Sequence, residues 1–229
     1  MATQLSFDLP SKTALGREDF FVSPANALAV AMISATSWPG NKLVLSGPAG
    51  SGKTHLAHVW AAETGGRIVQ ATDLRYEEVP NLARTSVAIE DVPLIAGDPE
   101  QQKTLFHLHN LVLAEGNALL MTGRAAPMLW RLPLADLQSR VEGAHHVALE
   151  APDDALLGAV LAKLFTDRQL SPGPDVIAYL VKHMDRSFEA AAKVVDELDR
   201  IALDEKRDIT RALAVRLLNT ELEQSDAHD

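Results

Sequence analysis

The sequence predicts an α/β protein, with a parallel sheet covered on both faces by helices and a small all-helical domain after it. Three observations predict this. Short apolar strand segments alternate with helical segments as far as about residue 152. KLVLS, SVAI and ALLM are continuous apolar runs, the pattern of strands buried on both faces. From Asp153 onward the spacing is helical, punctuated by prolines at 152, 172 and 174. The expected organisation is a peptide and linker over 1–15, a sheet-bearing core over 16–152 and a helical lid over 153–229.

The elements follow in order. SKTALGREDFFVSP (11–24) reads as a loop, and PANALAVAMISATSW (24–38) has helical small and apolar spacing until PGN breaks it. KLVLSG (42–47) is a strand ending in glycine. THLAHVWAAETGG (54–66) is a helix closed by Gly65 and Gly66. RIVQATD (67–73) is the next strand, and residues 74–85 are irregular with one short helix. SVAIEDV (86–92) is a buried strand ending in two acids. PEQQKTLFHLHNLVLAEGN (99–117) is an amphipathic helix with Leu105, Leu108, Leu111 and Val112 on one stripe. ALLMTG (118–123) is a strand, PMLWRLPLADLQSRV (127–141) is helical in parts, and HHVALEAP (145–152) is the last strand. Four helices complete the chain within 153–169, 173–184, 188–207 and 210–222.

Composition sets outer limits. The 229 residues are 47% hydrophobic and 23% charged, an ordinary globular balance with ample material for a core. There is no cysteine, which excludes disulfides and thiolate metal sites and fits a reducing, cytoplasmic compartment. No basic region followed by an apolar run opens the chain, and no stretch of ~18 apolar residues occurs, so neither a secretory signal nor a membrane span is expected. The formal charge of −10 argues against this chain alone gripping a nucleic-acid backbone.

The sharpest motif is GPAGSGKT, comprising Gly47, Pro48, Ala49, Gly50, Ser51, Gly52, Lys53 and Thr54. It lies between a strand and a helix, the context in which such a loop cradles phosphates. The glycines let main-chain amides turn inward, and the helix N-terminus adds its positive dipole end. Lys53 is placed to reach β- and γ-phosphates, the Thr54 hydroxyl to ligate Mg²⁺, and the following His55 to border the nucleotide. Glu90 and Asp91 end a buried strand at the edge where α/β sheets bind ligands, which makes them candidate magnesium holders. Thr122, at the end of ALLMTG, reads equally as a contact to a γ-phosphate or water and as a strand-end cap; Arg124 is similar. Arg140, in DLQSRVEG, reads on spacing alone as a surface arginine. His107 and His109 do not share a helix face, and His145 and His146 point oppositely on a strand, so no histidine metal spacing survives.

GPAGSGKTHL, the strand with two acids, ALLMTGRAAP, and LADLQSRVEGAHHVALEAPDD with its helical tail together resemble the AAA+ domain of the bacterial replication initiator DnaA. The likeness covers nearly residues 16–220. It implies a P-loop AAA+ core with a helical lid that binds ADP or ATP with Mg²⁺. It also implies that Asp91 and Thr122 stand near the reacting phosphate, and that Arg140 is an arginine finger presented to a neighbouring subunit. Where the initiator has an N-terminal domain, this chain has a tail bearing QLSFDL, which is similar to the peptide that docks on the replicative sliding clamp. Gln4 would anchor by polar contacts, and Leu5, Phe7 and Leu9 would enter a pocket. On the peptide alone, clamp docking and packing on the chain's own core are even.

The combination is similar to regulators that inactivate the initiator by stimulating hydrolysis of its bound ATP. It implies the clamp and DnaA as partners, contact with DNA only through the clamp, no membrane, and head-to-tail association as a possible homo-oligomer. Three departures from the family pattern point to weak hydrolysis by this chain itself. Glu90 replaces an aspartate, the usual polar sensor arrangement of ALLMTGR is missing, and Glu189 falls where a lid arginine is expected. Arg186, three residues earlier, is the remaining nucleotide-facing candidate. Rival readings are a helicase loader of the same superfamily, a self-sufficient P-loop ATPase or nucleotide kinase, and a binding module with a degenerate site.

Overall fold

The computed structural model describes residues 21–226, with side-chain surroundings through residue 220. Gln4, Leu5, Phe7 and Leu9 therefore lie outside the described residues. The elements in chain order are α1 (Ala27–Ile33), β1 (Lys42–Ser46), α2 (Lys53–Thr64), β2 (Arg67–Gln70), α3 (Val79–Leu82), β3 (Val87–Glu90), α4 (Pro99–Ala114), β4 (Leu119–Gly123), α5 (Ala135–Glu142), β5 (His145–Ala148), α6 (Asp154–Asp167), α7 (Pro174–His183), α8 (Phe188–Glu205) and α9 (Arg211–Asp226). Short 3₁₀ turns fill several of the connections, among them Val92–Ile95 and Pro127–Leu129.

The five strands form one parallel sheet in the order β2-β3-β4-β1-β5. Alternate side chains along each strand enter opposite faces. Val44, Val87, Ile89, Leu119 and Met121 belong to the core beneath α4 and α5, whereas Leu43, Leu45, Ala88, Leu120 and Val147 belong to the core beneath α1 and α2. That division is the reason these strands are apolar without alternation. The lid has a core of its own, built around Leu157, Leu161, Phe165, Leu180, Val195 and Leu198.

Several boundaries differ from the sequence reading. The first helix stops at Ile33 and not near Trp38. Trp38 folds back instead, stacks on Trp60 with ring centroids 5.2 Å apart, and donates its indole N–H to the Met32 carbonyl at 2.7 Å. The side chain thereby adds a second donor to a helix-end carbonyl that also accepts from the Ala35 amide at 3.2 Å. RIVQATD is strand only to Gln70, after which Ala71–Asp73 turns. In 127–141 only Ala135–Glu142 is α-helix, preceded by a single turn at Pro127–Leu129. Among the described residues no helix is long and apolar enough to cross a membrane.

Phe165 is among the largest fully buried side chains and sits in the lid's separate core. Phe165→Ala should lower stability by about 3–5 kcal/mol through lost burial and the cavity left behind, read from urea unfolding.

Candidate functional site

The parallel arrangement sends the C-terminal ends of β1, β3 and β4 to one edge of the sheet. Gly47–Gly52 leave β1 there and feed α2. Three interactions shape the loop. The Gly47 amide donates to the Gly123 carbonyl at 3.2 Å, tying the loop to the end of β4. A Cβ on Gly47 would come within 2.6 Å of the Leu149 carbonyl, so only glycine fits between β4 and the chain after β5. Lys53 is 8% exposed, and its ammonium donates to the Gly47 and Pro48 carbonyls at 2.8 and 2.7 Å. Burial pushes the Lys53 ammonium below its usual pKa; Asp91 opposes that fall, Arg124 adds to it, and Glu90 opposes it. Those four groups therefore share one electrostatic neighbourhood at the sheet edge. Ser51 is buried, and its hydroxyl oxygen has no partner.

The lid closes directly on this loop. Ser187 caps α8 by accepting from the Ala190 amide at 3.0 Å, and Phe188 donates its backbone N–H to the Gly50 carbonyl at 2.9 Å. Gly50 has φ +67°, and a Cβ there would overlap the Ser187 side chain. A Cβ on Gly52, at φ +97°, would meet the Phe188 ring at 2.9 Å. The resulting pocket is lined by Gly50, Gly52, Lys53, Thr54, His55, Phe188 and Glu189. Glu189 thus brings negative charge to the wall that faces the phosphate loop, which disfavours the extra charge of a triphosphate.

Glu90 is 3% exposed; its Oε2 accepts from Gln70 Nε2 at 3.1 Å and its Oε1 has no partner. Gln70 is its register partner on β2. Spacing along the chain carries no sign of this pair, because cross-strand register forms only in the sheet. Asp91 leaves the strand in the left-handed region, at φ 52°, a conformation that Asp tolerates better than most residues. Its amide donates to Thr122 Oγ1 at 3.0 Å. The Thr122 hydroxyl therefore fixes the turn at the end of the acid strand. Thr54, the orphaned Glu90 oxygen and Asp91 each offer oxygen donors, the ligand chemistry a Mg²⁺ ion takes.

Arg186 stands apart from these groups. Its guanidinium pairs with Asp154 and donates to the Pro152 carbonyl, fastening the lid to the chain entering it, and it is not among the residues lining the pocket. Arg140 is exposed on the last turn of α5, at the opposite edge of the sheet. Its carbonyl accepts from Lys42 Nζ, at the start of β1, at 2.9 Å. The five residues of β1 then intervene before the phosphate loop, a separation of roughly 16 Å along the strand.

No protein-family model matches the chain. Among solved structures, the chain is similar to domain III of the replication initiation protein DnaA from Thermotoga maritima, with TM-score 0.80 and 18% identity over 93% of this chain and 98% of that one. It is also similar to a replication initiator DnaA bound to AMPPCP and single-stranded DNA, with TM-score 0.66 and 20% identity over 82% of this chain and 67% of that one. A mutant RuvB of Thermotoga maritima matches with TM-score 0.67 and 14% identity over 86% of this chain and 68% of that one. The fold is that of a DnaA-type AAA+ domain. At these identities the likeness speaks to the fold, and the chemistry rests on the residues described above.

Gly50→Ala should displace α8 from the phosphate loop. The expected result is at least a ~10-fold loss of Mg-ADP affinity by calorimetry, with strain added by the positive φ. A separate consequence concerns His109, which is 2% exposed with Nε2 unpartnered. Burial holds its pKa below the usual 6.5, a fall opposed by the hydrogen bond to Asn110 and deepened by the charges of Lys42 and Arg140. The unfolded chain binds this proton more readily than the folded one, so the folded state loses stability as pH falls below about 6.5. His109→Gln should flatten that part of the slope, measured as urea midpoints between about pH 5 and pH 7.5.

Proposed function

We propose that the chain is a DnaA-type AAA+ regulator of the Hda kind. It binds adenine nucleotide and the sliding clamp, and it stimulates hydrolysis of ATP held by DnaA, which restrains replication initiation. The observation that carries the proposal is the position of Arg140. An exposed guanidinium at the edge of the sheet opposite its own phosphate loop has no route to its own nucleotide and is free to enter a neighbour's site. There it would oppose charge developing on the γ-phosphate, an effect of roughly 10³–10⁵ in rate for such fingers.

The chain's own site serves as a binding site for ADP. Main-chain amides of residues 47–52 and the start of α2 receive the diphosphate, and Lys53 exchanges its loop carbonyls for phosphate oxygens. Mg²⁺, when bound, supplies charge neutralisation between phosphate oxygens, and Thr54, Glu90 and Asp91 are the residues to hold it. Asp91 and Thr122 would stand near the γ-phosphate; the Thr122 oxygen already accepts from the Asp91 amide, which ties its position to the acid-bearing turn. With Glu189 on the wall and Arg186 engaged by Asp154, little is left to stabilise the chain's own transition state. Gln4, Leu5, Phe7 and Leu9 provide the clamp contact. That contact places the finger near initiator complexes once clamps are loaded and raises its effective concentration there. The relevance of single-stranded DNA, seen with a DnaA relative, is for this acidic chain indirect, through the clamp.

The test is initiator-bound ATP turnover with DNA-loaded clamp. Arg140→Ala should abolish stimulation while clamp binding stays intact. Changing Leu5 and Phe7 to alanine should do the reverse, removing clamp binding while leaving any clamp-independent stimulation at high protein concentration. Stimulation that persists in Arg140→Ala refutes the finger role.

A further inference from the structure

Gln102 lies on the buried stripe of α4, three residues before Leu105, where a leucine would be expected for packing, and it is 0% exposed. A buried amide is tolerated when its donors and acceptor are met. Here they are. Nε2 donates to the Ile95 and Ala96 carbonyls at 3.1 and 3.0 Å, and Oε1 accepts from the Leu134 amide at 3.0 Å. The two ends of this tie belong to different working parts. Residues 92–96 form the turn leaving Asp91, whose carbonyl accepts from the Leu94 amide at 2.9 Å and whose own amide is held by Thr122. Leu134 is the N-cap of α5, and α5 has no side-chain cap. Gln102 therefore holds the start of α5, while Lys42 holds the carbonyl of Arg140 near its end.

We propose that Gln102 is a positioning residue that ties the acid-bearing turn of the nucleotide site to the helix presenting Arg140. The inference rests on the trans reading of Arg140 above. An apolar side chain of similar size would keep the packing but lose both the anchor of residues 95–96 and the bond to the N-cap of α5, leaving Gln138, which accepts from the Leu132 amide, to hold the chain entering the helix. The eight-residue helix, uncapped at its start, would then fray and present the guanidinium in many orientations.

The test uses the full chain and two substitutions, assayed well below the unfolding transition. For Gln102→Met, hydrogen exchange of amides 134–140 should quicken by at least ~10-fold while those of β4 are unchanged. Stimulated initiator ATP turnover should fall at least ~10-fold in kcat, with the half-saturating concentration within ~2-fold and clamp binding unaltered. In an Arg140→Ala background the substitution should have no further effect on turnover. Gln102→Glu keeps the acceptor for Leu134 and replaces the donors to Ile95 and Ala96, so exchange should quicken at residues 92–98 more than in α5. Uniform quickening across the sheet in Gln102→Met, or unchanged exchange in α5 with unchanged kcat, would overturn the inference. Should the unsubstituted protein give no stimulation at all, the functional proposal falls, and the exchange pattern alone decides whether Gln102 holds α5.

Discussion

Much of this molecule depends on one close approach, the start of α8 against the phosphate loop. The Phe188 amide donates to the Gly50 carbonyl, and Ser187 and Phe188 occupy the space that side chains at positions 50 and 52 would fill. The sheet domain and the lid have separate hydrophobic cores, so their relation is set by contacts of this kind and by the bond from Arg186 to the Pro152 carbonyl at the linker. The glycine-rich loop is thus the surface on which the lid rests, and lid position and loop conformation are mechanically linked.

The parallel sheet imposes the second constraint. Because all the strands run the same way, everything that leaves a C-terminal end gathers at one edge: the phosphate loop, Glu90, Asp91 and Thr122. Arg140 enters from the other edge, beside the first residue of β1. Arg140 and the glycine-rich loop therefore stand at opposite ends of β1. Electrostatics reinforces the division, since Lys53 is already compensated by Asp91 and Glu90, and Glu189 adds more negative charge to the same pocket.

Much was legible in the sequence because the signals are local. Uninterrupted apolar runs such as KLVLS and ALLM marked strands buried on both faces, and the glycine spacing of 47–52 marked a loop whose backbone is closely approached, in the structure by Leu149, Ser187 and Phe188. The lid helices were readable from their 3.6-residue periodicity and prolines. Trp38 was not readable as the terminator of α1, because its partners, Trp60 and the Met32 carbonyl, come together only on folding. Gln70 against Glu90, and Gln102 between Ile95 and Leu134, are likewise polar residues whose meaning lies in partners distant along the chain.

By itself, then, the sequence determined the α/β class, the glycine-rich loop between a strand and a helix, the acid-ended strand and the run of helices after it, since each is written in residues within one turn or strand of one another. The tertiary structure decided which side chains face the pocket, that Arg186 is spent on the linker while Glu189 lines the site, and that Arg140 lies at the far edge of the sheet. The physical reason is that spacing along a chain fixes backbone conformation and face. The partner of a buried amide, carboxylate or guanidinium is fixed by strand register and by the docking of one domain on another.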